Sequence, residues 1–581
     1  MAGHFLFSIF DFRFAIVDLV QQIGRVTLRI VEISILSALI LAPRCANYQE
    51  VFVAGNVYFT DADCYARMMR VRLCVEHPGL IVRHHKFENF PNGTTPHTTA
   101  PLDYLILALS KVLKPFVASA RQLPVRLGPV APYHLDLAGA FISPLLALAG
   151  GWFLWWWSRR MQFRYRWALL TLYAVSPILV HGSELGRPDH QSLLILLLSI
   201  ALCAEWELRS KQSERWSAVS GINWGLALWV SLYEPLVLLL LVLACRAVAQ
   251  RRRVLGGLHD REVFFGKHRR IGWILFAVTI VVALLIEQRI PAMSIFSLNE
   301  IFKNWSRTIG ELSHVSPANP IWLRWCGYLL LVVPFLVWFG IRKPQKGAPS
   351  PPSSWTGSAV ASGRALPTFV LLLMFATYGL TIWQARWAYF FVLIFALAIP
   401  ALLELIKSRV AVWMAFTLSI FPILRDWDER IWPGEPEIAR RIEQRNEAVQ
   451  LRELAITLQS PEMRPFLAPW WLSPPIAHWS GQPGVAGSSH ESLDGIAETA
   501  RFFASEDWRT AETILEKHKV SWVFAYDSER VAQNSSAILG LPIPRHALCF
   551  VLDRTAAQVP QFLIFSAQNG TAKLYRVGNK L

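Results

Sequence analysis

Long apolar runs alternate with short polar breaks along this chain, and eleven of the runs are close to the length of a bilayer-crossing helix. They fall at 27–43, 134–157, 167–183, 190–207, 215–231, 235–249, 271–288, 321–341, 366–384, 387–406 and 409–424. Crossing about 30 Å of hydrocarbon takes roughly 20 residues of α-helix, which satisfies its own backbone groups in lipid. Three stretches break the rhythm. Residues 45–132 are too long for a connector, and "PLDYLILALSKVLKPF" within them predicts an amphipathic helix lying on the membrane surface. Residues 289–320 form a second long loop. Residues 426–581 suffice for a separate domain, in which "EPEIARRIEQRNEAVQLRELAITLQ" predicts a helix and "ETILEKHKVSWVFAYDSE" a helix then a strand. The expected architecture is therefore a polytopic α-helical membrane domain, 1–425, followed by a mixed α/β domain, 426–581. "GAPSPPSSWTGSAVASG" at 347–363 predicts a flexible loop, and no internal repeat is visible.

Charge then orients the runs. The formal net charge of +16 raises the question of nucleic acid, but the basic clusters "RRMQFRYR" (159–166), "RRRVLGGLHDREVFFGKHRR" (251–270) and "RKPQK" (342–346) lie between apolar runs. The basic loops at 158–166, 208–215, 246–270, 342–365 and 407–409 all fall on one side. That is the positive-inside pattern, so no nucleic-acid partner is expected. It places the N-terminus in the cytoplasm and the C-terminal domain outside a cell (inner or plasma) membrane, in a periplasmic or extracellular space. Arg25 and Arg29 flank the start of the first run, which lacks a small-residue cleavage site and reads as a retained span. The 25 Trp fit interfacial anchoring, and the seven cysteines, without CxxC or zinc spacing, read as small apolar residues.

Polar residues of interest all land at the outer span ends under this topology. "YFTDADCYARMMRVR" carries Asp61 and Asp63, two apart, which could ligate a hard cation; alone, helix capping by Thr60 and Asp61 explains them as well. Asp189, His190 and Gln191 sit where the run 190–207 begins, again a capping position after Pro188. Thr308 and Glu311 fall in the loop 289–320. Arg386, in "TIWQARWAYFF", is costly beside so apolar a stretch unless it snorkels or meets an anion such as a phosphate. Glu234 in "SLYEPL" is either a turn residue ahead of Pro235 or another acid of the same face. Several carboxylates, an imidazole and an arginine at one face suit an enzyme that handles an anionic, lipid-linked substrate with a divalent cation.

These motifs, in this order, resemble those of the GT-C membrane glycosyltransferases, in particular the catalytic subunit of oligosaccharyltransferase and its single-subunit bacterial and archaeal relatives. "DADCYARMMR" is similar to the first-loop Asp motif, with Asp63, Tyr65 and Arg67 in its key places; "GRPDHQ" is similar to the second acidic motif; "TIGE" matches the Thr-Ile-x-Glu motif. Arg386 resembles the arginine that contacts the donor pyrophosphate, and "PWWLSPPIAHWSGQPGVAGSSHES" the Trp-Trp-Asp region. The resemblance implies a GT-C fold of about 11–13 spans and a metal-dependent, inverting transfer of a glycan from a polyprenyl-diphosphate-linked donor to a protein or other glycan acceptor at the lipid surface. It implies Mn²⁺ or Mg²⁺ held by Asp63 and Asp189 with His190 or Gln191, and Glu311 contacting both metal and acceptor. Trp470, Trp471 and Thr308 would face the acceptor. Leu472 stands where the family has the Asp of Trp-Trp-Asp, so the Asn-x-Ser/Thr acceptor sequence is not expected to be read in the usual way, because Leu accepts no hydrogen bond.

Two other readings remain open on sequence. A GT-C transferase using a polyprenyl-monophosphate sugar would modify a lipid, glycan or protein. A transporter or flippase would be expected to carry acids near mid-bilayer and inverted repeats, neither of which is evident.

Overall fold

The computed structural model describes residues 24, 26–120, 133–210, 213–255, 266–290, 299–342, 366–554 and 558–578. The Pro/Ser/Gly stretch 347–363 lies outside the described residues, as do parts of both long loops and of the basic clusters at 251–270 and 342–346.

Among the described residues, seven helices are long and apolar enough to cross a membrane: Val26–Arg44, Tyr133–Arg160, His190–Arg209, Tyr233–Gln250, Lys267–Glu287, Ala385–Leu403 and Arg409–Ile431. The protein is a multi-pass membrane protein. The other expected spans are helical too, but shorter or broken. Glu214–Val230 and Thr368–Trp383 are single helices. The run 167–183 divides into Arg166–Val175 and Pro177–His181, because Pro177 lacks the N–H that would continue the ladder. The run 321–341 divides at Gly327, whose φ of +67° ends Ile321–Cys326 before Leu329–Arg342 begins. The last run is longer than expected, continuing past a break at Ile420 and Pro422 to Ile431.

Burial sorts these helices by position. Every residue of Ala388–Leu403 is buried, so this apolar helix has protein on all sides and forms the axis of the bundle. Lys267–Glu287 is equally apolar but leaves Ile274, Val278, Val281 and Leu285 exposed, as a lipid-facing helix does. It packs on Glu214–Val230 through Gly221 and Gly272, where a Cβ on either glycine would overlap the other helix's backbone. At the end of His190–Ser210 remote from Asp189, Glu205 is buried against Arg246 and Arg269 and accepts from the Ser220 hydroxyl at 2.5 Å. Paired in this way, a buried acid near a span end is tolerated.

At the opposite end of the bundle, the long first loop folds into two helices. Ala62–Glu76 is buried along most of its length, and Ala100–Ala120 leaves Leu105, Val112 and Phe116 exposed as an apolar face. Arg67 donates to Asp103 at 2.7 Å and to the Thr98 hydroxyl at 3.1 Å, which ties the two helices together. The C-terminal region begins with Glu435–Ile456 and builds a four-stranded sheet in the order Phe466–Leu467, Trp522–Ala525, Ala572–Val577, Leu563–Asn569. The first pair is parallel and the others antiparallel, and helices Leu493–Ala504, Trp508–Lys517 and Ser528–Leu539 complete a mixed α/β unit.

This unit seats directly on the first loop. The Tyr65 ring meets His478 and Trp479 edge-on at 5.5 and 5.3 Å, Glu88 accepts from the Ser488 backbone N–H at 2.7 Å, and Asn89 accepts from that of Gly495 at 3.1 Å.

Candidate active site

A cavity of about 890 Å³ opens where the helical bundle, the two long loops and the C-terminal unit meet. Asp61, Asp63, Asp189, His190, Gln191, Glu234, Thr308, Glu311, Arg386, Trp470 and Trp471 all line it. Residues from six separate stretches of sequence thus share one chamber. Arg67 does not line it; its guanidinium is held by Asp103 and Thr98 behind the Asp63 helix.

The first-loop pair divides its tasks. Asp61 is the N-cap of Ala62–Glu76 and accepts from the Cys64 N–H at 2.9 Å, while its other oxygen lies 3.2 Å from Arg187 Nη1. Asp63 sits in the first turn, its side chain exposed to the cavity and ringed by the chamber's walls. That enclosure, reinforced by the neighbouring Asp61 and Asp189 carboxylates, raises its pKa well above the carboxylate range. Asp189 is buried, and burial alone would raise its pKa as well. His190 reverses the sign: Asp189 Oδ1 accepts from the His190 backbone N–H at 2.6 Å and from its Nδ1 at 2.7 Å, which holds the carboxyl ionised well below its ordinary value. Asp189 therefore caps its helix as well as facing the cavity.

Glu311, in the turn Gly310–Leu312, is the hub of the remaining polar groups. Its carboxylate accepts from Arg187 Nη2 at 3.1 Å, Tyr389 Oη at 3.0 Å and Gln191 Nε2 at 3.4 Å, and lies 3.6 Å from Arg386 Nη2. Glu234 faces Arg386 Nη1 at 3.4 Å and accepts from the Ser231 hydroxyl at 2.9 Å, so it is an ion-pair partner rather than a free turn residue. Arg386 Nε is buried without a partner, leaving part of the guanidinium fork unused among the described residues. On the far wall, Thr308 donates to the Trp305 carbonyl at 2.7 Å, and the Trp470 indole N–H donates to Asn534 at 2.8 Å. Leu472, half-buried, packs against the apolar core and does not line the cavity.

The donor set suits a hard divalent cation. Asp63 and Asp189 supply carboxylate oxygens, and the Gln191 Oε1 is buried with no hydrogen-bond partner among the described residues. His190 has its Nδ1 committed to Asp189, an orienting arrangement common behind metal ligands.

Sequence reasoning left several of these residues unassigned. Arg187, within the quoted "GRPDHQ", joins Asp61 to Glu311, and its cost if unpaired was a usable signal. His97, His490 and Glu491 also gather at this site; His97 lies in the polar "TPHTTA" and gave no pattern to read. Burial holds the His490 imidazole down to about 4.

The chamber lies at one end of a helical bundle and is capped by a mixed α/β unit. No protein-family model and no curated protein matches the sequence. Among solved structures, the Archaeoglobus fulgidus oligosaccharyltransferase tethered to an acceptor peptide containing the NVT sequon is similar with a TM-score of 0.61 and 13% identity, over 94% of this chain and 74% of that one. The same enzyme in complex with Zn and sulfate gives 0.59 and 14% identity, over 94% and 73%. ArnT from Cupriavidus metallidurans bound to undecaprenyl phosphate gives 0.50 and 12% identity, over 96% and 98%. The chain shares the fold of these proteins.

Proposed function

We propose that this protein is a glycosyltransferase that moves a glycan from a polyprenyl-diphosphate-linked donor to an acceptor at the outer membrane face. The observation that carries the reading is the single chamber in which Asp63, Asp189, Glu311 and Arg386 converge from separate loops, in a fold shared with oligosaccharyltransferases.

Asp63, Asp189 and the Gln191 oxygen would hold Mn²⁺ or Mg²⁺, with Glu311 hydrogen-bonded to Gln191 and His190 fixing Asp189. When bound, such a cation supplies charge neutralisation for a departing diphosphate. Arg386 adds a planar fork whose unpaired Nε and neighbouring nitrogens match phosphate oxygens; Glu234 holds it in place from behind. Glu311, fixed by Arg187 and Tyr389, is positioned to accept a hydrogen bond from the acceptor's attacking group. Attack on the anomeric carbon from the face opposite the diphosphate inverts that carbon. Thr308, Trp470 and Trp471 form the wall along which an acceptor would lie, and lipid surrounds the donor's tail. Leu472, half-buried against the core, offers no carboxylate beside Trp470 and Trp471 to read a Ser or Thr hydroxyl.

A second reading, transfer from a polyprenyl-monophosphate sugar to a lipid or glycan, draws on Leu472 and on the near full-length correspondence with ArnT. Parallel glycoprotein and glycolipid profiles of membranes with and without the protein separate the two. Loss of a protein-linked glycan supports the first reading, and loss confined to glycolipids supports the second.

A further inference from the structure

We infer that His97, His490 and Glu491 form a second metal site, for a zinc-class cation, distinct from the oxygen-rich site around Asp63 and Asp189. One ligand atom from each of the three residues lies within 4.8 Å of the others, a spacing that a single ion can bridge. His97 Nδ1 is 2.6 Å from Glu491 Oε1, and His490 Nδ1 is 3.7 Å from Glu491 Oε2. Glu491 is oriented by the His97 backbone N–H at 2.6 Å and by the Ser489 hydroxyl, so its carboxylate is already aimed between the two rings. The second pointer is independent of that clustering: His490 Nε2 is buried and has no hydrogen-bond partner among the described residues. A buried imidazole nitrogen left unsatisfied is costly, and a bound cation is one way to satisfy it.

The chemistry of the two sites differs. Two imidazoles and one carboxylate suit Zn²⁺, a borderline cation that takes nitrogen readily, whereas Mg²⁺ demands oxygen. Three protein ligands leave a tetrahedral ion one open position. His97 and His490 both line the cavity and Glu491 does not, so the open position faces the chamber. There it would take water or an oxygen of the acceptor. The site also spans the fold: His97 and Glu491 are 394 residues apart in sequence, one in the first loop and one in the C-terminal unit. An ion here would pin the two halves of the chamber together.

Metal counting tests this without recourse to activity. Full-length protein in nanodiscs is stripped with chelator, equilibrated with Zn²⁺, freed of excess and analysed by mass spectrometry. Wild-type protein is expected to keep two Zn²⁺ per chain, Asp63→Asn/Asp189→Asn one, and His97→Asn/His490→Asn one. Zinc X-ray absorption of the Asp63→Asn/Asp189→Asn protein should show two imidazoles and oxygen ligands, a reading that does not depend on the histidine variants folding. Unchanged zinc content in His97→Asn/His490→Asn, no zinc left in Asp63→Asn/Asp189→Asn, or a zinc spectrum without imidazole each overturns the proposal.

Discussion

The Arg187 guanidinium donates to Glu311 at 3.1 Å, joining the mouth of the helix that starts at His190 to the turn of the second long loop. Its other nitrogen faces Asp61 at 3.2 Å. One buried cation thus ties the acids of both long loops together. Breaking one partner of such a pair leaves uncompensated charge, which costs about 3 kcal/mol or more when buried, and less here because Glu311 is partly open to the cavity. Arg187→Gln is expected to lower Tm by several degrees. It should also reduce kcat more than donor KM, since it frees Glu311 without touching the donor site. Thermal shift and steady-state kinetics measure both.

Asp63 and Asp189 should separate stability from activity. Without a bound cation, Asp63 is disfavoured as a carboxylate by its enclosure and acidic neighbours, while Asp189 is held ionised by His190. Asp63→Asn should therefore leave Tm in chelator unchanged or raised, and Asp189→Asn should lower it. Both should lose transfer by about 10³-fold, the scale of losing a principal electrostatic contact. Wild-type rates in both variants would rule out the metal assignment.

Arg386 tests the donor end. Arg386→Lys keeps the charge facing Glu234 but loses the fork. Donor KM is expected to rise about tenfold, equivalent to about 1.4 kcal/mol, with a smaller change in acceptor KM.

A pH prediction follows from the seam between first loop and C-terminal unit. Burial raises the Glu88 carboxyl to about 7, against the hydrogen bonds from Ser488 that favour its ionised form. A folded-state pKa above the unfolded value of 4.5 means that this group's contribution is fully present below 4.5 and is lost as pH rises through 7. The total is about 3 kcal/mol for such a shift. Glu88→Gln, a mimic of the neutral acid, should match wild-type Tm at pH 4.5 and exceed it at pH 8. Equal Tm differences at the two pH values would contradict this.

The helical bundle was legible because lipid demands long apolar runs and basic loops, both local signals. Breaks at Pro177 and Gly327 blurred span lengths, since each kink depends on what packs beside it. Asp63, Asp189, Glu311 and Arg386 were legible as motifs, and the structure brings them to one chamber. Tyr389 and His490 were not, because their partners lie far away in sequence and no spacing announces them; Arg187 offered only the cost of a charge beside an apolar run. Glu234 and Asp61 show the converse: each looked like punctuation, and each also holds a charge across the chamber.

The central claim is tested most directly by supplying purified protein in nanodiscs with a labelled polyprenyl-diphosphate glycan, Mn²⁺ and membrane-protein acceptors, and identifying the released lipid. The account predicts accumulation of polyprenyl diphosphate together with glycan on protein, abolished by chelator and by Asp189→Asn. An untouched diphosphate donor, with polyprenyl monophosphate released from a monophosphate-linked sugar instead, would contradict it.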